Sequence, residues 1–169
     1  PGGRSMSVAT ASGDQATIVA CDVSADRVRR IQENAERLGL SGVRCVTLGE
    51  NTAVEGEFDA ALVDAPCSNS GVLARRPEAR LRLLRGVDAS LPALQLRLLR
   101  DAAAVVRPGG RLVYSTCSIE EAENESVVQA FLRETPGWRL EEQRLTLPRW
   151  GARLSDWRDG GFWARLRRT

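Results

Sequence analysis

The chain of 169 residues has no histidine, no lysine and only four cysteines, and no two of those cysteines form a CxxC pair. Without histidine or closely spaced thiols there is no zinc-ligand pattern, so no metal is expected. Cys21, Cys45, Cys67 and Cys117 lie too far apart in a chain of this size to suggest a disulfide framework. Reduced thiols in a cytoplasmic protein are the expectation. No apolar run is long enough to span a bilayer, and no charged-then-apolar leader opens the sequence, so neither a membrane nor secretion is expected. All 24 basic side chains are arginine, a bias of genome composition rather than of physics.

What is present describes an ordinary globular domain. Hydrophobic residues make up 43% and charged residues 27%, and residues 1–169 read as one domain able to bury a sizeable core. A net charge of +2 says little, but the charges are segregated. Arg75, Arg76, Arg80, Arg82 and Arg85 crowd one stretch, and Arg149, Arg153, Arg158, Arg165, Arg167 and Arg168 load the C-terminal end. Acids gather at Glu120, Glu121, Glu123 and Glu125. Guanidinium forks suit phosphate contacts, and a solvated helix face accounts equally well for the first stretch.

Apolar periodicity alternates between strand and helix. Thr17–Cys21, Val43–Leu48 and Phe58–Val63 read as short strands. A helix over about 25–38 has Val28, Ile31, Ala35 and Leu38 on one face, Ser24 as its N-cap and Gly39 as its stop. Leu91, Leu94, Leu98, Ala102 and Val105 mark a long helix ended by Pro108-Gly109-Gly110. Arg111–Ser115 is a further strand and Glu121–Glu134 a helix. Trp138–Leu145 and Phe162–Leu166 read as a closing antiparallel pair. The pattern predicts an α/β fold, a mostly parallel sheet with helices on both faces. Ligands of such sheets bind at the carboxyl ends of the strands, where Asp22, Asp64 and Cys117 fall, so the three are expected to line one crevice.

Gly2-Gly3 forms a glycine turn at a helix start, where a ligand can approach the backbone. Asp22 follows a strand about twenty residues on and can accept hydrogen bonds from both hydroxyls of a ribose. The pair fits a dinucleotide or S-adenosylmethionine. Glu50 could meet the adenine or be a solvated loop acid. Cys21 and Cys45 read as small buried hydrophobes. Cys67 and Cys117 each sit in a polar turn at the expected crevice. Cys117 also precedes a helix whose N-terminal dipole would lower its pKa, against Glu120 and Glu121. A thiolate, an acid and a nucleoside cofactor together suit methylation at carbon 5 of a pyrimidine. Thiolate addition to carbon 6 makes carbon 5 nucleophilic, and an acid near the ring nitrogen stabilises the developing charge.

The segments "PGGRS", "DAPCSNSG", "STCSIEEAEN" and "DGGFWARL", in this order, resemble the RNA 5-methylcytosine methyltransferases, in particular the bacterial ribosomal RNA methyltransferase B (Sun-type) group. The resemblance spans nearly the whole chain. It implies a Rossmann-like methyltransferase sheet, S-adenosyl-L-methionine as cofactor, and RNA as partner, ribosomal before transfer RNA. Cys117 would be the nucleophile, Cys67 would assist product release, Asp64 would hold the target cytosine beside the cofactor, and Pro66 would shape the base pocket. Pro1, Gly2, Gly3 and Arg4 would border the cofactor, Asp22 would bind its ribose, and Glu50 would take the adenine-side position. Arg75, Arg76 and Arg80 would meet RNA phosphates. Three positions depart from the family pattern: Arg4 replaces a lysine, Glu50 an aspartate, and Gly161 separates Asp159-Gly160 from the aromatics Phe162 and Trp163.

The expected molecule is a monomeric catalytic domain lacking the family's first, central strand and its RNA-recognition region, and so binding the cofactor poorly in isolation. Three other readings stand beside it: a DNA cytosine methyltransferase, in which Cys67 attacks; a non-catalytic RNA-binding relic; and a dehydrogenase, which leaves the thiols without a role.

Overall fold

The computed structural model describes residues 1–49, 54–84, 86 and 88–169, which divide into two compact units, 1–55 and 56–169.

The first unit contains α1 (Gly3–Ala11), β1 (Ile18–Asp22), α2 (Ala25–Arg37) and β2 (Val43–Thr47). β1 and β2 pair in parallel, from Ile18 opposite Val43 to Asp22 opposite Thr47. The Ser24 hydroxyl caps α2 by accepting from the Arg27 N–H, and Gly39 leaves the helix at φ 66°. Ile31 and Ala35 of α2 pack with Met6 and Ala20 into a small core. The strand period of two explains one correction. Ala20 faces that core, so its neighbour Cys21, expected to be buried, is exposed, while Cys45 is half-buried against the core.

The second unit is a four-stranded sheet in the order β3-β4-β6-β5, formed by β3 (Phe58–Asp64), β4 (Val106–Thr116), β5 (Trp138–Thr146) and β6 (Gly161–Arg168). β3 and β4 run parallel, while β6 is antiparallel to both β4 and β5. Leu112, Tyr114, Phe162, Ala164 and Leu166 alternate onto one face. There they meet Leu99 and Ala103 of α4 (Leu91–Ala104) and Val127, Val128 and Phe131 of α5 (Glu125–Glu134). Leu99 and Phe131 are fully buried, and each such side chain stabilises the fold by about 1.5–3 kcal/mol. Outward-facing positions of the strands carry charge: Glu141 lies within 3.6 Å of Arg111, Arg139, Arg165 and Arg167.

Several elements differ from those read in the sequence, most by a residue or two at their ends, and three differences are larger. Pro108-Gly109-Gly110 does not end the long helix, which stops at Ala104; these residues lie inside β4. The β3–β4 register jumps there, from Phe58 opposite Val106 to Ala60 opposite Arg111, and this irregularity takes up the strand breakers. The expected 121–134 helix begins at Glu125, after a tight turn over Glu121–Glu123. The arginine-rich stretch contains a short helix, α3 (Pro77–Leu83), on which Arg80 and Arg82 are exposed.

Among the described residues no helix is long and apolar enough to cross a membrane.

Candidate active site

Two neighbouring strand ends build the site of the second unit. Asp64 is the last residue of β3 and pairs with Ser115 of β4, whose hydroxyl donates to Asp64 Oδ1 at 3.2 Å. Each strand then runs into a turn that carries a cysteine. The two turns meet, with Cys67 Sγ and Cys117 Sγ 3.1 Å apart.

Backbone contacts fix this approach. Gly71 N–H donates to the Cys117 carbonyl at 3.0 Å, and Gly160 N–H donates to the Gly71 carbonyl at 2.7 Å. A Cβ at Gly71 would stand 2.7 Å from the Gly160 carbonyl and 2.9 Å from that of Cys117. The glycines of "DAPCSNSG" and "DGGFWARL" are therefore required because three backbone segments converge on the Cys117 turn.

Asn69 completes the thiol pair. It sits in the left-handed region at φ 63°, which asparagine tolerates better than most residues. Its side-chain amide donates to the Cys67 carbonyl at 3.0 Å, and its Oδ1 accepts from Cys117 Sγ at 3.0 Å. The amide thus presents an acceptor to Cys117, which suits a protonated thiol. Cys67 is pulled down to about 7, first because the Cys117 thiol donates to it and then because Asn69 and Cys117 backbone N–H groups do, against burial and the Glu123 charge. Cys117 is pushed up by the same bond to Cys67, then by burial, by the Cys67 charge and by the nearby Asp64.

This reverses the expectation that a helix dipole lowers the Cys117 pKa. No regular helix starts at Cys117, and the sulfur beside it dominates. Each sulfur is the other's main influence, which pulls the Cys67 thiol down and pushes the Cys117 thiol up.

A buried polar set underlies both turns. Glu123, Gln95, Ser118 and Asn124 are fully buried, and Glu123 accepts from the Ser68 N–H, Gln95 Nε2 and the Ser118 hydroxyl. Neither Asn69 nor Glu123 was singled out as a site residue from the sequence. Asparagine between small polar residues is a turn signal that could have indicated Asn69. Glu123 lies in an acidic run that reads as solvated.

Of the other expected residues, Pro66 is exposed and its carbonyl accepts from Gln95 Nε2 at 2.9 Å. Arg75 is ion-paired with Asp159 at 2.9 Å and Arg76 with Glu78 at 3.5 Å; Arg80 is exposed on α3.

The first unit carries the nucleoside-binding candidates. Gly2, in the left-handed region at φ 81°, is the N-cap of α1, and a Cβ there would press on Ile31 at 3.1 Å. Among the described residues a Cβ on Gly3 would meet nothing within 4 Å, which leaves room beside the start of α1. The Pro1 carbonyl accepts from Asn34 Nδ2 at 3.5 Å, and Arg4 is exposed. Asp22 ends β1; its Oδ1 accepts from the Ser24 N–H at 2.9 Å, and its Oδ2 is held loosely by Arg27 at 3.5 Å. A partly exposed carboxylate with lone pairs to spare fits the two hydroxyls of a ribose. Glu50 lies outside the described residues.

The profile of the family described as 16S rRNA methyltransferase RsmB/F matches residues 1–153. A probable ribosomal RNA small subunit methyltransferase B of Bacillus subtilis (strain 168) is 38% identical over 152 residues, covering 86% of this chain and 34% of the relative. A ribosomal RNA small subunit methyltransferase F of Enterobacter sp. (strain 638) is 37% identical over 130 residues, 75% of this chain and 27% of that protein. The crystal structure of NSun6 from Pyrococcus horikoshii with SFG superposes with a TM-score of 0.79 at 31% identity, over 99% of this chain and 45% of the other. The chain spans about a third of the length of the curated relatives it matches. The α/β architecture is that of Rossmann-like methyltransferases.

Proposed function

The chain belongs to the 16S rRNA methyltransferase RsmB/F family, and we propose that residues 1–169 form a monomeric catalytic domain that methylates carbon 5 of a cytosine in RNA. Small-subunit ribosomal RNA is the substrate that the relatives' names favour, and the cytoplasm is its place of action. The observation that carries this reading is the contact between the two sulfurs, with Asp64 at the adjoining strand end.

Cys117 adds to carbon 6 of the ring, and its proton passes to Cys67, the thiolate beside it. Asp64 faces the ring nitrogen and shares a proton with it as charge builds. The base must leave its stack to reach Cys117, at a cost of roughly a few kcal/mol, less in a loop. S-adenosylmethionine supplies the methyl group when bound; Asp22 would accept from its ribose, and the Gly2-Gly3 backbone would border it. The NSun6 structure contains SFG, an analogue of that cofactor, which supports this assignment. After methylation the carbon-5 proton goes to solvent while the Cys67 thiol hands its proton back to the Cys117 sulfur as that sulfur leaves carbon 6, so release depends on Cys67. Pro66 borders the base, and Arg75, Arg76 and Arg80 meet phosphates, Arg75 by exchanging its Asp159 partner.

The lowered pKa of Cys67 favours a second assignment, in which Cys67 attacks. Separate substitutions decide between the two. With the full-length gene product and a 5-fluorocytosine RNA, Cys117→Ala is expected to form no covalent adduct and to lose turnover by a factor on the order of 10⁴. Cys67→Ala is expected to accumulate the adduct with ordinary RNA. The reverse pattern establishes the second assignment, and full turnover in Cys117→Ala overturns the covalent mechanism.

A further inference from the structure

We propose that Glu123 is a positioning residue, a buried carboxylate that keeps the two cysteine turns in register by bonding the residue after each cysteine. The proposal rests on the reading that both thiols serve the reaction.

The geometry is specific. Oε2 accepts from the Ser68 N–H at 2.9 Å, next to Cys67, and Oε1 accepts from the Ser118 hydroxyl at 3.1 Å, next to Cys117. Gln95 Nε2 bonds both Glu123 Oε2, at 3.0 Å, and the Pro66 carbonyl, at 2.9 Å, so the residue before Cys67 is held as well. The Glu123 carbonyl accepts from the Tyr114 hydroxyl at 2.6 Å, anchoring the carboxylate to the strand that delivers Cys117. Asn124 extends the grip: its Oδ1 accepts from Thr116 Oγ1 at 2.6 Å, and its Nδ2 donates to the Ser118 carbonyl at 3.0 Å. Cys117 is therefore held on both sides and Cys67 likewise.

Among the described residues every donor to the Glu123 carboxylate is neutral. An amide of the same shape could keep these ties without carrying a charge. A carboxylate placed there also sets a charge beside the thiols. Its field opposes the lowering of the Cys67 pKa, so it limits how far the resting charge settles on that sulfur.

The test compares Glu123→Gln with Glu123→Ala in the full-length gene product. A glutamine oxygen can accept from Ser68 and Gln95 while its amide donates to Ser118 Oγ, so the ties remain and only the charge goes. Glu123→Ala removes the ties. Glu123→Ala is expected to lose kcat by about 100-fold with the RNA KM within about twofold, and Glu123→Gln to recover most of that loss. Diamide, which takes a hydrogen from each thiol to leave a disulfide and a hydrazine, reads the sulfur–sulfur register without any turnover. Disulfide formation is expected to slow by about tenfold in Glu123→Ala and to keep its pace in Glu123→Gln. The alkylation midpoint of Cys67 is expected to move to lower pH in Glu123→Gln. A role in fold stability alone predicts no downward movement, because loosening returns a thiol to its ordinary value. A folded Glu123→Ala that oxidises at the wild-type rate overturns the proposal, and so does an unchanged or raised midpoint in Glu123→Gln. If Glu123→Ala fails to fold, the glutamine midpoint decides. If the wild-type protein proves to transfer no methyl group, the oxidation rate and the midpoint still decide.

Discussion

Cys67 Sγ and Cys117 Sγ stand 3.1 Å apart, each at the head of a turn that follows a parallel strand. Fifty positions of sequence separate them, yet the two thiols lie within hydrogen-bond reach of one another. Their chemistry is that of a pair, and the charge on one sulfur is set by the proton on the other.

The Cys67 thiol is pulled down to about 7, chiefly because the Cys117 thiol donates to it. Its thiolate fraction, and with it the rate of alkylation by iodoacetamide, is expected to rise with pH through that value. In Cys117→Ala the donor is gone, so the midpoint should move upward, toward the ordinary thiol value of about 8.5. Peptide mapping of the alkylated cysteine across pH 5.5 to 9.5 checks both positions. A midpoint that stays at the wild-type value in Cys117→Ala would rule out the Cys117 bond as the cause of the lowering.

Gly71→Ala places a methyl group 2.7 Å from the Gly160 carbonyl, where only backbone could give way. The expected loss of stability is about 2 kcal/mol, measured by urea unfolding of the full-length gene product. Wild-type stability would mean that the three segments meeting over Cys117 pack more loosely than described.

Asp22→Asn exchanges a charged acceptor for an amide at the end of β1. Losing charge-assisted bonds to a ribose should weaken S-adenosylhomocysteine binding by roughly 10- to 100-fold in a calorimetric titration. Arg27, which touches Asp22 only at 3.5 Å, should matter far less when changed to alanine. Equal affinity of Asp22→Asn and wild type would remove Asp22 from the cofactor site.

Replacing Arg75, Arg76 and Arg80 together with glutamine should weaken RNA binding and flatten its salt dependence. Each lost phosphate contact to single-stranded RNA lowers the slope of log K against log salt by about 0.7. An unchanged slope would return these arginines to the role of a solvated surface.

The bond from Arg167, aided by the Arg111 charge and the bond from Arg165, holds the Glu141 carboxyl below the usual carboxylate range. A carboxyl depressed in the folded state adds stability above its unfolded value, and that stability is lost as pH falls through the folded value. Glu141→Gln is therefore expected to narrow the stability difference between neutral and acid pH in urea titrations. An identical pH profile in the variant would leave the cluster without stabilising weight.

The residues legible in the sequence are those whose signal is local. Asp64, Cys67 and Cys117 stand where apolar runs stop, and strand ends are where an α/β sheet presents chemistry. Asp22 and the Gly2 turn are legible for the same reason. Glu123 is not, because a carboxylate in an acidic run is normally solvated, and only the fold brings the Ser68 N–H to it. The direction of the Cys117 shift was also out of reach: its dominant cause is a sulfur distant in sequence. Pro108-Gly109-Gly110 misled in another way. Breakers end helices in isolation, but a register jump lets a strand carry them.

β6 lies between β4 and β5, so residues 161–168 are interior to the sheet rather than an appendage to it. The strand that delivers Cys117 gains its second neighbour only when that late segment arrives. During synthesis on the ribosome, then, the nucleophile candidate emerges well before the framework that aims it. Its thiol should remain open to modification until the 161–168 segment has been translated and docked.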